Sequence, residues 1–157
     1  MRKSRSSGNP NVKSLSIDTS VLIAAERGDQ SALEILSGVS VFVCSVVVAE
    51  WWVGVHALRG DDAKKAKLMR FHQEIIRHIP VHPFTVDDAP TFGQSVGTMQ
   101  TKGKKLGFPD AAIGSQALRY GVPMATYNAA DFRMIPGLEV WDPNEKAPAG
   151  DGEGHEG

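Results

Sequence analysis

Apolar residues follow two alternating patterns along the chain. Short runs rich in Val, Ile and Leu are typical of buried strands, and longer segments with apolar residues three or four positions apart are typical of amphipathic helices. We predict strands at 15–17, 39–43, 81–84, 122–126 and 138–141, and helices at 19–25, 31–36, 46–58, 62–79, 86–99 and 110–120. The valines that open the segment 46–58 leave a strand as its rival interpretation.

Capping residues mark the ends of several of these helices. Asp29, Ser45, Asp61 and Thr85 each stand where an N-cap side chain belongs, and Gly121 stands where a left-handed residue ends a helix. The face of the helix before Pro80 is formed by Leu68, Phe71, Ile75 and Ile79. Asp87 and Asp88 are interpreted as acids that stabilise a helix start.

The alternation of strands and helices predicts an α/β fold, with a central parallel sheet between layers of helices. Binding sites in such folds lie beyond the carboxyl ends of the strands. Asp18, Ser45 and Asn128 each come just after a predicted strand. We therefore expect the chemistry of the protein at this edge of the sheet.

The charge distribution separates the two ends of the chain from its middle. Residues 1–14 carry four basic side chains and no acid, whereas residues 142–157 carry five acids and one lysine. Both segments are rich in Gly, Pro, Ser or Asn, which is typical of solvated tails. We expect one domain at 15–141, a basic flexible tail before it and an acidic tail after it.

The cysteine content and the hydropathy of the sequence indicate the cellular compartment in which the protein is expected. Cys44 is the single cysteine of the 157 residues, so an internal disulfide is impossible and a cysteine-based zinc site is disfavoured. The basic start lacks the apolar segment of a signal peptide. The most apolar stretch, 39–55, is too short for a membrane helix and contains Glu50. We expect a cytoplasmic protein without a membrane segment.

Four acidic residues lie beside apolar segments with no basic residue nearby in sequence: Asp18, Glu50, Asp110 and Asp131. Each alone has a structural interpretation. Asp18 and Asp110 suit a helix cap or a first helical turn, and Glu50 can extend from an apolar helix to solvent.

A parallel sheet would bring these four carboxylates to one edge, where like charges repel and raise one another's pKa. A divalent cation removes that cost, and oxygen ligands select Mg²⁺ or Mn²⁺. Neutral oxygens of Thr19, Ser20, Thr126 and Asn128 could support the site.

Four segments carry a family resemblance: "IDTSVLI", "VVVAEWWVG", "FPDAAIGSQAL" and "ATYNAADFRMIPGLEV". In this order and spacing they resemble the acidic motifs of PIN-domain ribonucleases, in particular the VapC toxin branch. The resemblance implies a PIN-like three-layer fold with five parallel strands and an endoribonuclease that depends on Mg²⁺ or Mn²⁺. It places the first three acidic ligands at Asp18, Glu50 and Asp110, and the fourth at Asp131. Asn128 stands where some relatives have a second acid.

An RNA substrate requires positive charge beside these acids. The segment "TKGKKLG" supplies Lys102, Lys104 and Lys105 just before Asp110, and Arg27 and Arg133 flank the first and last motifs. The alternative interpretation of the lysine segment is a solvated connector.

The resemblance to VapC toxins also implies a small cognate antitoxin. Trp51 and Trp52 are adjacent on a helix and cannot both point into one core, so we expect one to be partly exposed as an anchor for that partner or for a second copy in a homodimer. The alternative is that both are buried between helices. A PIN-type nuclease of RNA maturation or DNA flap cleavage shares the same site. An inactive binding module would lose ligands, and a receiver-like phosphorylation domain requires an acidic pair and a late lysine that are not clear here.

Overall fold

The computed structural model of the protein describes residues 14–145, and its centre is a parallel sheet of five strands. The strands are β1 (Leu15–Ile17), β2 (Val41–Cys44), β3 (Val81–His82), β4 (Met124–Ala125) and β5 (Val140–Trp141). Their order is β3-β2-β1-β4-β5, and every neighbouring pair is parallel. The predicted α/β class and parallel sheet are confirmed.

Seven α-helices occur within the described residues: α1 (Thr19–Glu26), α2 (Gln30–Gly38), α3 (Ser45–Ala57), α4 (Asp62–Glu74), α5 (Ala89–Thr101), α6 (Phe108–Tyr120) and α7 (Ala129–Phe132). Two single turns of 3₁₀-helix, Ile76–His78 and Val86–Asp88, precede β3 and α5. The segment 46–58 is therefore helical, as predicted, and α7 is an element that the sequence pattern did not indicate.

Two local predictions are wrong. Ser45 is not an N-cap, because it lies inside α3 and its Oγ accepts a hydrogen bond from the amide of Phe84, 3.0 Å away. Ile75 does not extend the buried face of α4. The helix ends at Glu74, and the following 3₁₀ turn buries Ile76 while Ile75 is 39% exposed.

The helices form two groups because the direction of the chain across the sheet reverses after β3. In the first group α1 contacts α2 and α3, and α3 contacts α4; in the second α6 contacts α5 and α7, and a contact between α3 and α6 joins the two groups. Right-handed crossovers in opposite directions place helices on opposite faces of a sheet. The result is the three-layer arrangement expected from the alternation of elements.

Close packing fixes α6 against the segment that follows β4. A Cβ atom at Gly114 would lie 2.2 Å from the Cδ1 of Ile135, so no other residue fits without displacing that side chain. The contact also involves Phe132 at the end of α7. Gly114 thereby lets α6 and α7, which carry Asp110 and Asp131, approach each other.

Membrane insertion has no support among the described helices. Within residues 14–145 no helix combines the length and the apolar character needed to cross a bilayer. The two predicted tails lie largely outside the described residues. The described part of the second one, 142–145, turns back so that Glu145 pairs with Arg133.

Candidate metal centre

The strand order reverses between β1 and β4, which makes the edge beyond these two strands the switch point of the sheet. Asp18 follows β1 directly, and Asn128 and α7 follow β4. Crevices for ligands form at such points because the adjoining chain segments lead away to opposite faces. The sequence therefore places its first predicted site residue at the position that this topology favours.

Asp18 is buried, at 3% exposure, and both of its carboxylate oxygens accept hydrogen bonds from hydroxyl groups. Ser20 Oγ donates to Oδ1 at 2.6 Å, and Thr126 Oγ1 donates to Oδ2 at 2.8 Å. Although Asp18 is at the N-cap position of α1, its side chain makes no capping hydrogen bond. Burial raises the pKa of this carboxyl, and the two hydroxyl bonds partly offset that rise.

The two hydroxyl groups are themselves fixed by the chain after β4. The amide of Tyr127 donates to Ser20 Oγ at 3.0 Å, and the amide of Asn128 donates to Thr126 Oγ1 at 2.9 Å. Each hydroxyl therefore has a backbone donor on one side and is directed to donate its own proton to Asp18. This arrangement orients the Asp18 carboxylate without a positive charge.

Glu50 extends from α3 toward the same edge of the sheet. Its Oε1 accepts a hydrogen bond of 3.0 Å from Thr19 Oγ1, and the side chain is half-buried. Thr19 and Ser20 thus orient two different carboxylates from adjacent positions in the first turn of α1. Of the Thr-Ser pair, Ser20 supports Asp18 and Thr19 supports Glu50.

Asp110 lies in the first turn of α6, where the negative charges of the other three acids affect its pKa. Its pKa is raised to about 6, first by burial and then by the negative charges of Glu50, Asp18 and Asp131. Asp131 is on α7 and is exposed to solvent. The structure therefore brings the four predicted acids into one electrostatic cluster.

The chemistry of this cluster fits a divalent cation of the Mg²⁺ or Mn²⁺ type. The groups are carboxylates supported by hydroxyls, and none of the four acids forms an ion pair with a Lys or Arg within the described chain. In residues 14–145, however, no three acidic, histidine or cysteine side chains are close enough to hold a metal as they stand. Binding an ion requires these carboxylates to draw together.

The remaining predicted residues are distributed around the cluster. Asn128 is exposed and supports it through its backbone amide. Lys102, Lys104 and Lys105 are exposed in the segment between α5 and α6. Arg27 is exposed at the end of α1, whereas Arg133 forms an exposed ion pair of 3.1 Å with Glu145.

A groove of about 190 Å³ adjoins the cluster between α1, α3 and α4. Thr19 and Glu50 form one end of it, and most of the lining is apolar: Ile23, Trp51, Gly54, Leu58 and Leu68. Trp51 is 3% exposed, and Trp52 is half-buried against His56 and His72. A larger cavity of about 560 Å³ is lined by other residues, including Ile35 and Trp141, and by none of the four acids.

Two buried polar atoms beside the groove lack hydrogen-bond partners within the described chain: Trp51 Nε1 and Glu26 Oε2. This Glu26 oxygen nevertheless forms an ion pair of 3.2 Å with Lys67 Nζ. Unpaired buried polar atoms are uncommon because each costs about 1–3 kcal/mol. The groove therefore offers one unpaired donor, Trp51 Nε1, to a group that enters it, whereas Glu26 is already paired with Lys67.

The fold agrees with a comparison to protein families. The family model described as PIN domain matches residues 15–138, and the chain belongs to that family. A curated relative, Ribonuclease VapC1 of Rickettsia felis, is 28% identical over 126 residues, which cover 80% of this chain and 93% of the relative.

Solved structures show the same fold. VapBC2 from Rickettsia felis, bound to a DNA fragment from its promoter, aligns with a TM-score of 0.69 and 22% identity over 82% of this chain and 98% of that one. VapBC-5 from Mycobacterium tuberculosis, a member of the VapBC family of toxin-antitoxin systems, aligns with a TM-score of 0.63 and 23% identity over 82% of this chain and 96% of that one.

Proposed function

We propose that this PIN-domain protein is a metal-dependent endoribonuclease that acts as the toxin of a toxin-antitoxin pair. The observation that carries the proposal is the electrostatic convergence of four acids from four separate segments, none of which pairs with a cationic side chain within residues 14–145. A folded chain retains such a cluster at the expense of stability. The relative named Ribonuclease VapC1 supports RNA cleavage as the function that compensates for it.

Each acid has a role that follows from its surroundings. Asp18 and Asp110 would hold Mg²⁺ or Mn²⁺, because Asp18 is oriented by two hydroxyls and Asp110 is the acid whose pKa depends most visibly on the others. Glu50 and Asp131 would complete the ligand shell or accept a proton from the attacking water. When bound, the ion acidifies water and polarises a phosphoryl oxygen for in-line attack. We expect products with a 5′-phosphate and a 3′-hydroxyl.

The lysine segment supplies the positive charge that RNA requires. Lys102, Lys104 and Lys105 are exposed, and none forms an ion pair within the described residues, so their charges are available to phosphate groups. Arg27, exposed at the end of α1, is a further candidate for RNA binding, and Arg133 is another that would have to exchange its pairing with Glu145 for a phosphate. An RNA substrate also implies that the protein acts in the cytoplasm.

Cleavage of a mixed RNA pool by the purified chain tests this function. We expect Mn²⁺ or Mg²⁺ to support endonucleolytic cleavage, excess EDTA to abolish it, and readdition of Mn²⁺ to restore it. Sequencing of the cut ends identifies the preferred RNA. Cleavage that is unaffected by EDTA would contradict the metal-dependent mechanism, and the absence of cleavage with every divalent ion would leave an inactive PIN-like binding module.

The groove between α1, α3 and α4 is our candidate surface for the antitoxin. Its lining is largely apolar and includes Glu50, and the buried Trp51 Nε1 there has no hydrogen-bond partner within the described residues. An apolar segment of a partner could fill it, and a basic side chain at the end of that segment could pair with the acids. The solved structures of VapBC pairs support the existence of such a partner.

We expect a short reading frame beside the gene to encode the antitoxin, and expression with and without it tests the toxin role. We expect the chain alone to inhibit growth and the pair to co-purify without activity. Ile23→Glu, in the groove, should abolish co-purification while the chain stays folded, and Leu33→Glu, equally exposed on α2 outside the groove, should not. Harmless expression of an active, unbound chain would favour RNA maturation instead. Sedimentation analysis of the same samples tests the predicted homodimer.

A further inference from the structure

Three phenylalanines form a cluster at the start of α6. The ring of Phe108 lies 5.4 Å from that of Phe92 on α5 and 5.9 Å from that of Phe84, which follows β3. Phe84 and Phe92 are themselves 5.9 Å apart in an edge-to-face contact. Both are half-buried, whereas Phe108 is 56% exposed. One aromatic ring is therefore supported by two others and still presents a large area to solvent.

The position of Phe108 links it to the acidic cluster. It precedes Asp110 by two residues in α6, which is a rise of about 3 Å along the helix and a different side of it. The exposed lysines of 102–105 come just before it in the chain. A strand whose phosphates contact the lysines and the metal site would carry a base adjacent to the cleaved bond close to this ring.

We propose that Phe108 stacks against a base of the RNA next to the cleaved phosphate. The proposal rests on the ribonuclease function proposed above and adds a residue that positions its substrate. Aromatic side chains bind every base through its π-face, and each such stack contributes about 1–3 kcal/mol. Bases in a duplex are already stacked and paired, so only a single strand or a loop can supply one.

The cluster also prepares the ring for binding. Contacts with Phe84 and Phe92 restrict the rotamers of Phe108 before RNA arrives, so less conformational entropy is lost on binding. A second copy of the chain is a less suitable occupant. A two-fold interface centred on Phe108 would bring the lysine segment of one copy toward the same segment of the other.

Binding of a fluorescent single-stranded oligoribonucleotide in EDTA, where cleavage does not proceed, tests the proposal. We expect Phe108→Ala and Phe108→Leu to weaken binding by about 5- to 100-fold and Phe108→Trp to retain it. Phe108→Leu keeps the apolar packing and removes only the π-face. Val53→Ala changes another exposed apolar residue, 69% exposed on α3, and serves as the matched control. Affinity for a blunt RNA duplex should not depend on Phe108.

Oligoribonucleotides that contain 2-aminopurine give a second measurement, because stacking quenches this base. We expect quenching with the wild type and Phe108→Trp and its loss with Phe108→Leu. Equal affinity and quenching for wild type and Phe108→Leu would overturn the stacking role, as would a change of oligomeric state in place of a change in RNA affinity. Wild-type cleavage in Mn²⁺ that persists in either case would keep the nuclease function. Failure of the wild type to bind or cleave RNA would overturn both.

Discussion

Two buried aspartates in this molecule have different kinds of hydrogen-bond partner. Asp88 is fully buried before α5, and its Oδ1 accepts a 2.6 Å hydrogen bond from Arg119 Nε while its Oδ2 accepts one from the Thr85 amide. Asp18 is 3% exposed after β1, and its two oxygens are contacted by the hydroxyls of Ser20 and Thr126. One buried charge is balanced by a cation of the chain, and the other is only oriented.

The difference distinguishes a structural carboxylate, Asp88, from Asp18, which we propose to be functional. Breaking a buried ion pair costs stability because a charge is left without its partner, so Asp88 and Arg119 hold the 3₁₀ turn before α5 to α6. Nothing comparable explains Asp18, whose pKa is raised by burial. A buried acid that is oriented but not neutralised indicates a site prepared for a cation from outside the chain.

The largest expected effect is on RNA cleavage, when Asp18 and Asp88 are each replaced by asparagine in separate variants. We expect Asp18→Asn to lower Mn²⁺-dependent RNA cleavage by roughly 10³-fold or more, because a metal ligand is lost while the shape of the side chain is kept. Asp88→Asn, measured at a temperature where it is folded, should cleave within about three-fold of the wild type. An equally severe loss in folded Asp88→Asn would remove the functional meaning of the comparison.

Stability should show the reverse order. We expect Asp88→Asn to lower the free energy of unfolding by about 2 kcal/mol, because Arg119 loses its partner but is exposed enough to be hydrated. The midpoint of thermal unfolding should fall by roughly 5–10 °C. Calorimetry of both variants without metal is the measurement, and Asp18→Asn should be the more stable of the two.

The pH dependence of stability sharpens the contrast at Asp110. Its pKa is about 6 in the folded protein and 3.8 ordinarily, so the ionised carboxylate opposes folding. This penalty is fully present above pH 6 and is relieved as the pH falls from about 6 to about 4, where the folded protein binds the proton more tightly. Without metal, Asp110→Asn should therefore stabilise the protein at pH 7 by about 1–2 kcal/mol, after allowance for solvent screening, and leave it unchanged near pH 4.

Divalent ions provide the control for this prediction. Mg²⁺ should stabilise the wild type by mass action at pH 7 and stabilise Asp110→Asn less, because one negative ligand is missing. Denaturant unfolding at pH 4 and pH 7, with Mg²⁺ or EDTA, measures both effects. A wild type that is more stable than Asp110→Asn at pH 7 in EDTA would show that the ionised Asp110 carboxylate does not oppose folding.

The smallest expected effect is on the salt dependence of RNA binding, and it concerns the three lysines between α5 and α6. If Lys102, Lys104 and Lys105 bind RNA phosphates, replacing all three with Gln should reduce the slope of log affinity against log salt concentration by about 2 for a single strand. Lys64, Lys65 and Lys67 on α4 provide a matched triple substitution, for which we expect a smaller change. Equal slopes for the two triple variants would assign 101–107 to a solvated connector.

The sequence pattern predicted the sheet well because each strand is a short apolar run bounded by polar or turn residues. It failed where contacts distant in sequence decide the local structure. Ser45 resembles an N-cap, but its hydroxyl accepts from Phe84, 39 positions away. Helix α7 has four residues, too few for any periodicity to appear.

The acids of the candidate site can be predicted from the sequence, but the contacts that orient them cannot. Acids that lie beside apolar segments with no basic residue nearby can be recognised in a sequence. Asp18, Glu50, Asp110 and Asp131 are of this kind. The support of Asp18 by Thr126 depends on the pairing of β1 with β4, which no local pattern shows. Phe108 gave no sequence signal, because a phenylalanine before a helix is most often part of a core.

The hydrogen bond between Thr126 and Asp18 joins residues 108 positions apart, and it has a consequence for the timing of synthesis. On the ribosome, β1 emerges early, but its neighbour β4 and the acid-bearing α7 emerge near the end of the domain. A growing chain therefore carries Asp18 for most of translation without Thr126 to orient it and without Asp131 beside it. If the protein cuts RNA as we propose, its own messenger is protected from a nascent enzyme until nearly the whole domain has been made.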